Sequence, residues 1–263
     1  MKAKDSEKQS LSKTAFDDLL GLNESWLKWI EDAVEFQSLL GNKIPWEQLD
    51  KAGKTFINER LASVAPNRQI LLNSFYMTMV SGFEEYLRTT IQEITRQIFN
   101  GKPKYEDLTE LIRNMHIRES ARLLKRLDSP PDYLTFSVVD LCRGLGSCVP
   151  GSETVVLNPE VFSNVESLIK LENFVERVSA ISKPLTLEIL AKHDSLKLAL
   201  KLKPNTAVRE VSKALSQELA QMARYRNRIA HTGGSAADIT TEIVAEHRSL
   251  LQALASAIDA SIR

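Results

Sequence analysis

The sequence is poor in cysteine and has no excess of charge of either sign. Cys142 and Cys148 are the only cysteines among 263 residues, too few for a disulfide framework or for the four ligands of a structural zinc site. The 34 basic and 34 acidic side chains cancel, which excludes a histone-like protein that coats nucleic acid through net positive charge. Any nucleic-acid site must therefore be a local basic patch.

Long apolar runs are also missing. The longest uncharged stretch, residues 69–83, contains five polar side chains and does not fit a membrane span. The charged residues 1–8 are followed by no apolar segment, so no secretory signal is expected. Together with two cysteines that we expect to be reduced, these absences predict a soluble cytoplasmic protein with no membrane association.

Glycine and proline are scarce, with ten and nine residues respectively, and they cluster in a few places. Between the clusters, apolar residues recur at spacings of three and four, which predicts an all-α helical bundle. Helices are expected at about 13–40, 46–64, 67–99, 105–127, 159–203 with a break near Pro184, 206–232 and 235–262. The helix after Pro66 is the longest and is expected to be central.

We divide the chain into an N-terminal helical extension, residues 1–65, and a main helical domain, residues 66–263. Within the main domain, residues 128–158 are rich in proline and glycine and include the β-branched run 154–156, so we predict an irregular insertion with room for a short hairpin. Asn158 is expected to cap the next helix, with Pro159 in its first position. Ser235 and Asp238 have the spacing of a capping box for the last helix.

The signatures of several common enzyme classes are absent. There is no Walker lysine and no Gly-x-Ser-x-Gly elbow, and the glycines at 144 and 146 lack the spacing of a dinucleotide fingerprint, which predicts an ordinary glycine-rich loop. His116, His193 and His247 have no partner at metal-ligand spacing and are expected to be surface or packing histidines. We therefore predict no metal and no cofactor.

The fourth histidine, His231, closes the segment 224–233 (Arg-Tyr-Arg-Asn-Arg-Ile-Ala-His-Thr-Gly) at the end of an amphipathic helix. Arg226 follows Met222 by four residues and precedes Ile229 by three, so it continues the apolar stripe and should need a partner or a ligand. Asn227 and His231 share a face, and His231 lies about 140° around the helix from Arg226. One groove beside the helix could receive all three polar side chains.

This set of side chains suits phosphodiester chemistry on RNA. A neutral imidazole can remove the proton of a 2′-hydroxyl, while a fixed guanidinium holds the phosphate and stabilises the charge that develops on its oxygens. The reaction leaves a 2′,3′-cyclic phosphate and needs no metal. The structural alternative is a basic helix end whose arginines pair with carboxylates on a neighbouring helix.

The string Arg-Asn-Arg-Ile-Ala-His at 226–231 resembles the Arg-x4–6-His motif of the HEPN family, helical nucleotide-binding domains of prokaryotic defence and toxin systems and of some eukaryotic ribonucleases. Residues 82–88 (Gly-Phe-Glu-Glu-Tyr-Leu-Arg) are similar to the family's Glu-x-aromatic-Leu pattern. The sequence Asn-Pro-Glu at 158–160 is similar to the middle segment of the RiboL-PSP-HEPN subgroup. The resemblance covers about residues 66–260.

The resemblance implies a homodimer in which two copies of the motif meet across a cleft. Arg226 and His231 carry over as catalytic residues, with Asn227 as the polar neighbour of the arginine. Glu84 would orient Arg226, and Glu85 is the alternative.

For RNA binding we predict Arg224, Arg228 and Tyr225, the last either stacked on a base or packed within the protein. The segment from Lys201 to His231 has seven lysines and arginines against two glutamates, so it is the confined basic patch that a neutral RNA-binding protein requires. The second half of the 105–127 helix is also basic, and we interpret it as a solvated face.

The leading functional hypothesis is a metal-independent endoribonuclease that acts in antiphage defence or as a toxin. Its partners would be the RNA substrate, a second copy of the chain, and an antitoxin or another protein of the defence system. The alternative is a non-catalytic module for dimerisation or for sensing RNA or a nucleotide within a defence complex.

Overall fold

The computed structural model describes residues 10–43, 50–56, 64–99, 103–126, 137–165, 167–232 and 239–262. Across these ranges the protein is built from α-helices and one 3-10 turn at Tyr105–Asp107, with no β-strand. The predicted all-α class is therefore confirmed. The helices are α1 Leu11–Lys43, α2 Lys51–Phe56, α3 Val64–Ile98, α4 Glu110–Leu124, α5 Val138–Ser147, α6 Pro159–Phe162, α7 Leu171–Ile181, α8 Leu187–Leu190, α9 Asp194–Ala199, α10 Val208–Thr232 and α11 Thr241–Ile262.

Helix α3 is the centre of the bundle. It packs against α1, α6, α7, α10 and α11. It contributes six of the largest fully buried side chains at helical spacing: Leu72, Tyr76, Met79, Phe83, Leu87 and Ile91. Each large side chain that leaves water stabilises the fold by about 1.5–3 kcal/mol. This central helix is the scaffold on which the other elements are positioned.

Helix α1 lies along α3 in the region assigned to the N-terminal extension. Its buried Phe16 stacks on Tyr86, with ring centroids 5.4 Å apart, and meets Phe83 at 5.5 Å. A side-chain carbon added at Gly82 would clash with Leu19, so the glycine permits the two helices to approach closely at this point. The division of the chain at residue 65 stays a prediction, although α1 and α3 share one core.

The described part of the insertion differs from the prediction. Residues 138–147 form helix α5, and the run 154–156 forms no strand. The physical cause is a capping box, in which the Ser137 hydroxyl accepts from the Asp140 amide at 3.2 Å and the Asp140 carboxylate accepts from the Ser137 amide at 3.1 Å. The valine at 155 instead donates its N–H to the carbonyl of Pro103 at 2.8 Å.

The predicted glycine-rich loop is also wrong, because Gly144 and Gly146 lie inside α5. At Gly144 an added side-chain carbon would stand 3.0 Å from Asn158 Nδ2 and 3.5 Å from His116 Cε1. The glycine therefore permits α5 to close over α4 and the start of α6. Residues 128–136 lie outside the described ranges.

Two predicted helix caps have different outcomes. Asn158 occupies the N-cap position before Pro159, as expected, but its side chain makes no capping bond; its amide nitrogen instead donates to the carbonyl of Asp140 at 3.4 Å. The predicted box at Ser235 and Asp238 lies outside the described residues. Thr240 caps α11, where its hydroxyl accepts from the amide of residue 243 at 3.3 Å.

No helix among the described residues has the length and apolar character needed to cross a bilayer. Cys142 is exposed and Cys148 is buried, and both thiols are free.

Candidate active site

The position of the candidate catalytic arginine, Arg226, on helix α10 turns its side chain towards the protein interior. The buried residues of α10 recur at helical spacing, from Val211 through Leu219 and Met222 to Ile229, and this stripe holds α10 against α3 and α8. Arg226 lies on the same stripe, as its spacing predicts, and only 21% of its side chain is exposed. A guanidinium in that position requires a charged partner, because burial of an unpaired cation is costly.

The partner of Arg226 is Glu84 on α3. The Nη1 group of Arg226 donates to Glu84 Oε2, and 19% of the Glu84 side chain is exposed. The other carboxylate oxygen, Oε1, accepts from the backbone N–H of Ile169 at 3.2 Å. With one donor on each oxygen, the carboxylate has a fixed orientation and joins α3 to α10 and to the segment before α7.

The alternative carboxylate, Glu85, lies elsewhere. Its side chain is 61% exposed, with a carboxylate oxygen 3.4 Å from Nε of Arg88, and it accepts from the Thr89 hydroxyl at 3.3 Å. One helical step of 100° separates the two glutamates and turns Glu85 towards solvent. The contact with Arg226 is thus made by Glu84.

Arg224, Asn227, Arg228 and His231 are all exposed. Over the described residues, the side chains of these four make no hydrogen bond or ion pair. His231 lies in the last turn of α10, about 7.5 Å along the axis and about 140° around it from Arg226. The helix therefore presents an anchored guanidinium and an exposed imidazole on different faces of the same segment.

Tyr225 packs inward and is half-buried. Its ring lies 5.9 Å from that of Tyr76 and 6.2 Å from that of His247, and its hydroxyl accepts from Gln221 at 3.4 Å. We expected the Tyr225 ring either to stack on a base or to pack within the protein, and the ring is packed within the protein. Only the exposed part of the ring is open to a ligand.

The other three histidines are involved in packing or in local hydrogen bonds. His116 is fully buried and stacks on Phe162, and burial lowers its pKa to about 4. His193 contacts the Ser261 hydroxyl at 3.1 Å. Over the described residues, no group of three or more metal-ligating side chains comes together.

His247 belongs to a network that the sequence did not predict. Its Nδ1 lies 2.7 Å from the Tyr76 hydroxyl, and its Nε2 lies 3.5 Å from Glu218 Oε2. Burial lowers the pKa of His247, whereas the Glu218 carboxylate acts in the opposite direction. The three side chains come from α3, α10 and α11, and no sequence motif joins residues so distant in the chain.

The Ile169 amide is a second group that sequence reasoning missed. Because the donor is a backbone N–H, the residue type at position 169 gives no indication of this role. The contact depends on how the segment before α7 approaches α3. The arrangement as a whole can hold an anion, because Glu84 occupies one of the five N–H donors of Arg226 and the others remain for a ligand.

The chain matches the RiboL-PSP-HEPN family model over residues 47–263. The match spans most of the chain, and the protein belongs to the RiboL-PSP-HEPN family. This finding confirms the predicted resemblance to the RiboL-PSP-HEPN subgroup. No curated protein and no solved structure matches the chain.

Proposed function

We propose that the protein is a metal-independent endoribonuclease whose catalytic groups are Arg226 and His231. The observation that carries the proposal is the contact of Arg226 with Glu84 on a helix that ends in an exposed histidine. Membership of the RiboL-PSP-HEPN family supports the same assignment. A HEPN-type domain is a helical module associated with RNA cleavage and defence.

In the proposed reaction, His231 accepts the proton of a ribose 2′-hydroxyl. The 2′-oxygen attacks the adjacent phosphorus, the bond to the 5′-oxygen of the next nucleotide breaks, and that oxygen takes a proton from water or from a protonated imidazole. The products are a 2′,3′-cyclic phosphate and a 5′-hydroxyl end. Arg226 stabilises the charge on the non-bridging oxygens through N–H groups that Glu84 does not use.

The separation of Arg226 and His231 on α10 favours a site built from two chains. The sequence suggested one groove for both side chains, but about 140° of helix rotation, with Arg226 mostly buried and His231 exposed, sets them on different sides of α10 within one chain. In a homodimer with the ends of two α10 helices facing each other, the arginine of one copy and the histidine of the other can reach the same phosphate. This arrangement would also supply a second imidazole as the acid for the leaving oxygen.

The remaining exposed residues of the segment serve binding. Asn227 shares a face with His231 and can donate to a phosphate or ribose oxygen. Arg224 and Arg228 add positive charge on either side of the pair, which suits the RNA backbone. Tyr225 can offer a base only the exposed part of its ring.

We place this activity in the cytoplasm, in a defence or toxin system with an antitoxin or another partner protein. A ribonuclease without such control would damage cellular RNA. Purification of the tagged chain from its native host, with mass spectrometry of the bound proteins, tests this part. Recovery of the chain with no reproducible partner would contradict it.

The direct test of the activity is cleavage of total RNA in the presence of EDTA. We expect the wild-type chain to cleave, and His231→Ala and Arg226→Ala to lose activity. Arg68→Gln is a matched control, because it removes the same charge at an exposed arginine on α3, outside the basic segment 201–231. Equal cleavage by the wild type and His231→Ala would rule out the mechanism.

One observation favours a non-catalytic alternative. The ion pair with Glu84 compensates the charge of Arg226, as expected for a guanidinium that fixes the fold. In that case the segment would bind RNA or a nucleotide without turnover. The same assay separates the two functions. A binding module would bind the RNA in EDTA and leave it uncleaved, so no new RNA fragments would form.

A further inference from the structure

A second cluster of arginines surrounds the buried carboxylate of Glu119 on α4. The Glu119 side chain is completely buried, and Oε1 accepts from Arg118 Nε at 3.2 Å, from Arg122 Nη1 at 3.1 Å and from Arg177 Nη2 at 2.9 Å. Arg122 also donates to Oε2 at 3.2 Å. One carboxylate thus fixes three guanidiniums from α4 and α7.

The cluster carries more positive charge than its carboxylate can balance. Three guanidiniums and one carboxylate leave a net charge of +2. The ion pairs that the described residues make with Arg118 and Arg122 involve Glu119 alone. A structural role for Glu119 would require one arginine, whereas two further cations at a spacing of four residues on α4 repel each other.

The two surplus guanidiniums are positioned for a ligand in solvent. The side chains of Arg118 and Arg122 are 55% and 60% exposed. Arg118 contacts Glu119 through Nε, so both of its terminal nitrogens are left for a ligand, and Arg122 contacts it through Nη1, which leaves Nη2 and Nε. Because the carboxylate holds both side chains, little side-chain entropy is lost when an anion binds.

Arg177 provides a separate indication of a missing ligand. Its side chain is 9% exposed, and its Nη1 atom is buried with no hydrogen-bond partner in the described part of the chain. A buried N–H of a charged group that lacks an acceptor destabilises a fold. Arg177 contacts the same Glu119 oxygen as Arg118 and Arg122, so its unsatisfied donor belongs to the same cluster.

We propose that Arg118, Arg122 and Arg177, held by Glu119, form a binding site for a phosphate group that is separate from Arg226 and His231. A doubly charged phosphate monoester or adjacent phosphodiesters of an RNA strand match the charge of +2, and planar guanidiniums bind phosphate oxygens in pairs. Lys125 and Arg126 follow directly after the end of α4 and add positive charge to the approach.

Helix α7 links the two sites. The Ile169 amide before α7 contacts Glu84, the partner of Arg226, and Arg177 lies two turns into α7, about 9 Å along its axis. An RNA strand of a few nucleotides could therefore contact both regions. The phosphate site itself does not rest on cleavage, since it requires only the Glu119 cluster.

The test compares two double variants with equal loss of charge. Arg118→Gln/Arg122→Gln removes the exposed guanidiniums and leaves Glu119 paired with Arg177. Arg68→Gln/Arg143→Gln removes two exposed arginines that lie outside the cluster and outside the basic segment 201–231. All chains used for RNA binding also carry His231→Ala, so that cleavage does not alter the RNA. Circular dichroism verifies the fold, and Arg118→Gln alone replaces the double variant if the latter unfolds.

For an RNA ligand, we expect the cluster variant to bind a short fluorescent single-stranded RNA about tenfold or more weakly, with a salt slope lower by about 1.4 for two lost contacts. The control should change the affinity by less than about threefold. These results would assign the site to the RNA backbone whether or not the wild-type chain cleaves.

The second arm uses millimolar inorganic phosphate and a nucleoside monophosphate. If the RNA affinity is unchanged but the rise in Tm that either compound produces disappears in the cluster variant alone, the ligand is a small phosphate ester. If the cluster and control variants respond equally in both arms, the proposal is wrong. Loss of cleavage with His231→Ala tests the proposed function separately.

Discussion

His116 and His231 lie on helices of the same bundle in opposite surroundings. The ring of His116 is fully buried, stacks on Phe162 and has no hydrogen-bond partner for either nitrogen among the described residues. His231 lies in the last turn of α10 with its side chain exposed. Burial keeps the first imidazole neutral and inaccessible, whereas the second is exposed and is the imidazole to which we assign proton transfer in the proposed reaction.

The largest expected effect is the loss of RNA cleavage when the exposed imidazole is removed. We expect His231→Ala to decrease the cleavage rate by about a thousandfold, because general-base catalysis contributes roughly 10²–10⁴. The free energy of unfolding should change by less than about 0.5 kcal/mol, as for most exposed substitutions. The measurement is cleavage of a labelled RNA in EDTA, with urea unfolding of both chains.

The buried imidazole should affect stability rather than cleavage. Burial lowers the pKa of His116 from 6.5 to about 4, so the unfolded chain binds a proton that the folded chain does not bind between these pH values. Folding stability from this group is therefore present above about pH 6.5 and is lost as the pH falls towards 4, by about 2 kcal/mol between pH 7 and pH 5.

His116→Phe tests this linkage, because phenylalanine keeps a ring against Phe162 without a titrating group. We expect the fall in the free energy of unfolding between pH 7 and pH 5 to become shallower by about 2 kcal/mol. Part of the remaining pH dependence of stability comes from His247, because burial also lowers the pKa of that imidazole. An unchanged slope in His116→Phe would contradict the account, as would loss of RNA cleavage at pH 7 in a folded variant.

A smaller effect is expected at the carboxylate that anchors Arg226. Glu84→Gln keeps an acceptor for the Ile169 amide but replaces the charged acceptor of the guanidinium, so Arg226 should lose its fixed position. We expect the cleavage rate to fall by about 10- to 100-fold, equivalent to roughly 1.4–2.7 kcal/mol. Single-turnover cleavage at saturating RNA measures this loss apart from binding.

The smallest effect is expected at the neighbouring glutamate. Glu85→Gln removes an exposed charge that pairs with Arg88, and exposed ion pairs contribute about 0–1 kcal/mol. Its cleavage rate should stay within about twofold of the wild type. If Glu85→Gln and Glu84→Gln lost activity equally, the contact between Glu84 and Arg226 would not explain catalysis.

Local patterns predicted much of this fold. Helical spacing identified α3 as the long central helix, because its buried residues recur every three or four positions. The same regularity placed Arg226 on the buried stripe of α10. Such properties follow from the period of a single helix, which the sequence contains in full.

Other features depend on contacts that a local pattern does not encode. Helix α5 was missed because its glycines suggested a loop, although Ser137 and Asp140 carried the capping-box spacing that starts it. The choice between Glu84 and Glu85 required the direction of α3 relative to α10. The three arginines around Glu119 could not be grouped beforehand, since Arg177 comes from a different helix.

The chemical nature of the RNA ends tests the central claim most directly. A single labelled RNA is incubated with the wild-type chain in EDTA, and the fragments are analysed by mass spectrometry, with His231→Ala as the control. Attack by the 2′-hydroxyl under general-base catalysis predicts fragments that end in a 2′,3′-cyclic phosphate and begin with a 5′-hydroxyl, absent from the control. Fragments with 3′-hydroxyl and 5′-phosphate ends, or identical fragments in the control, would contradict the assignment of His231 as the base.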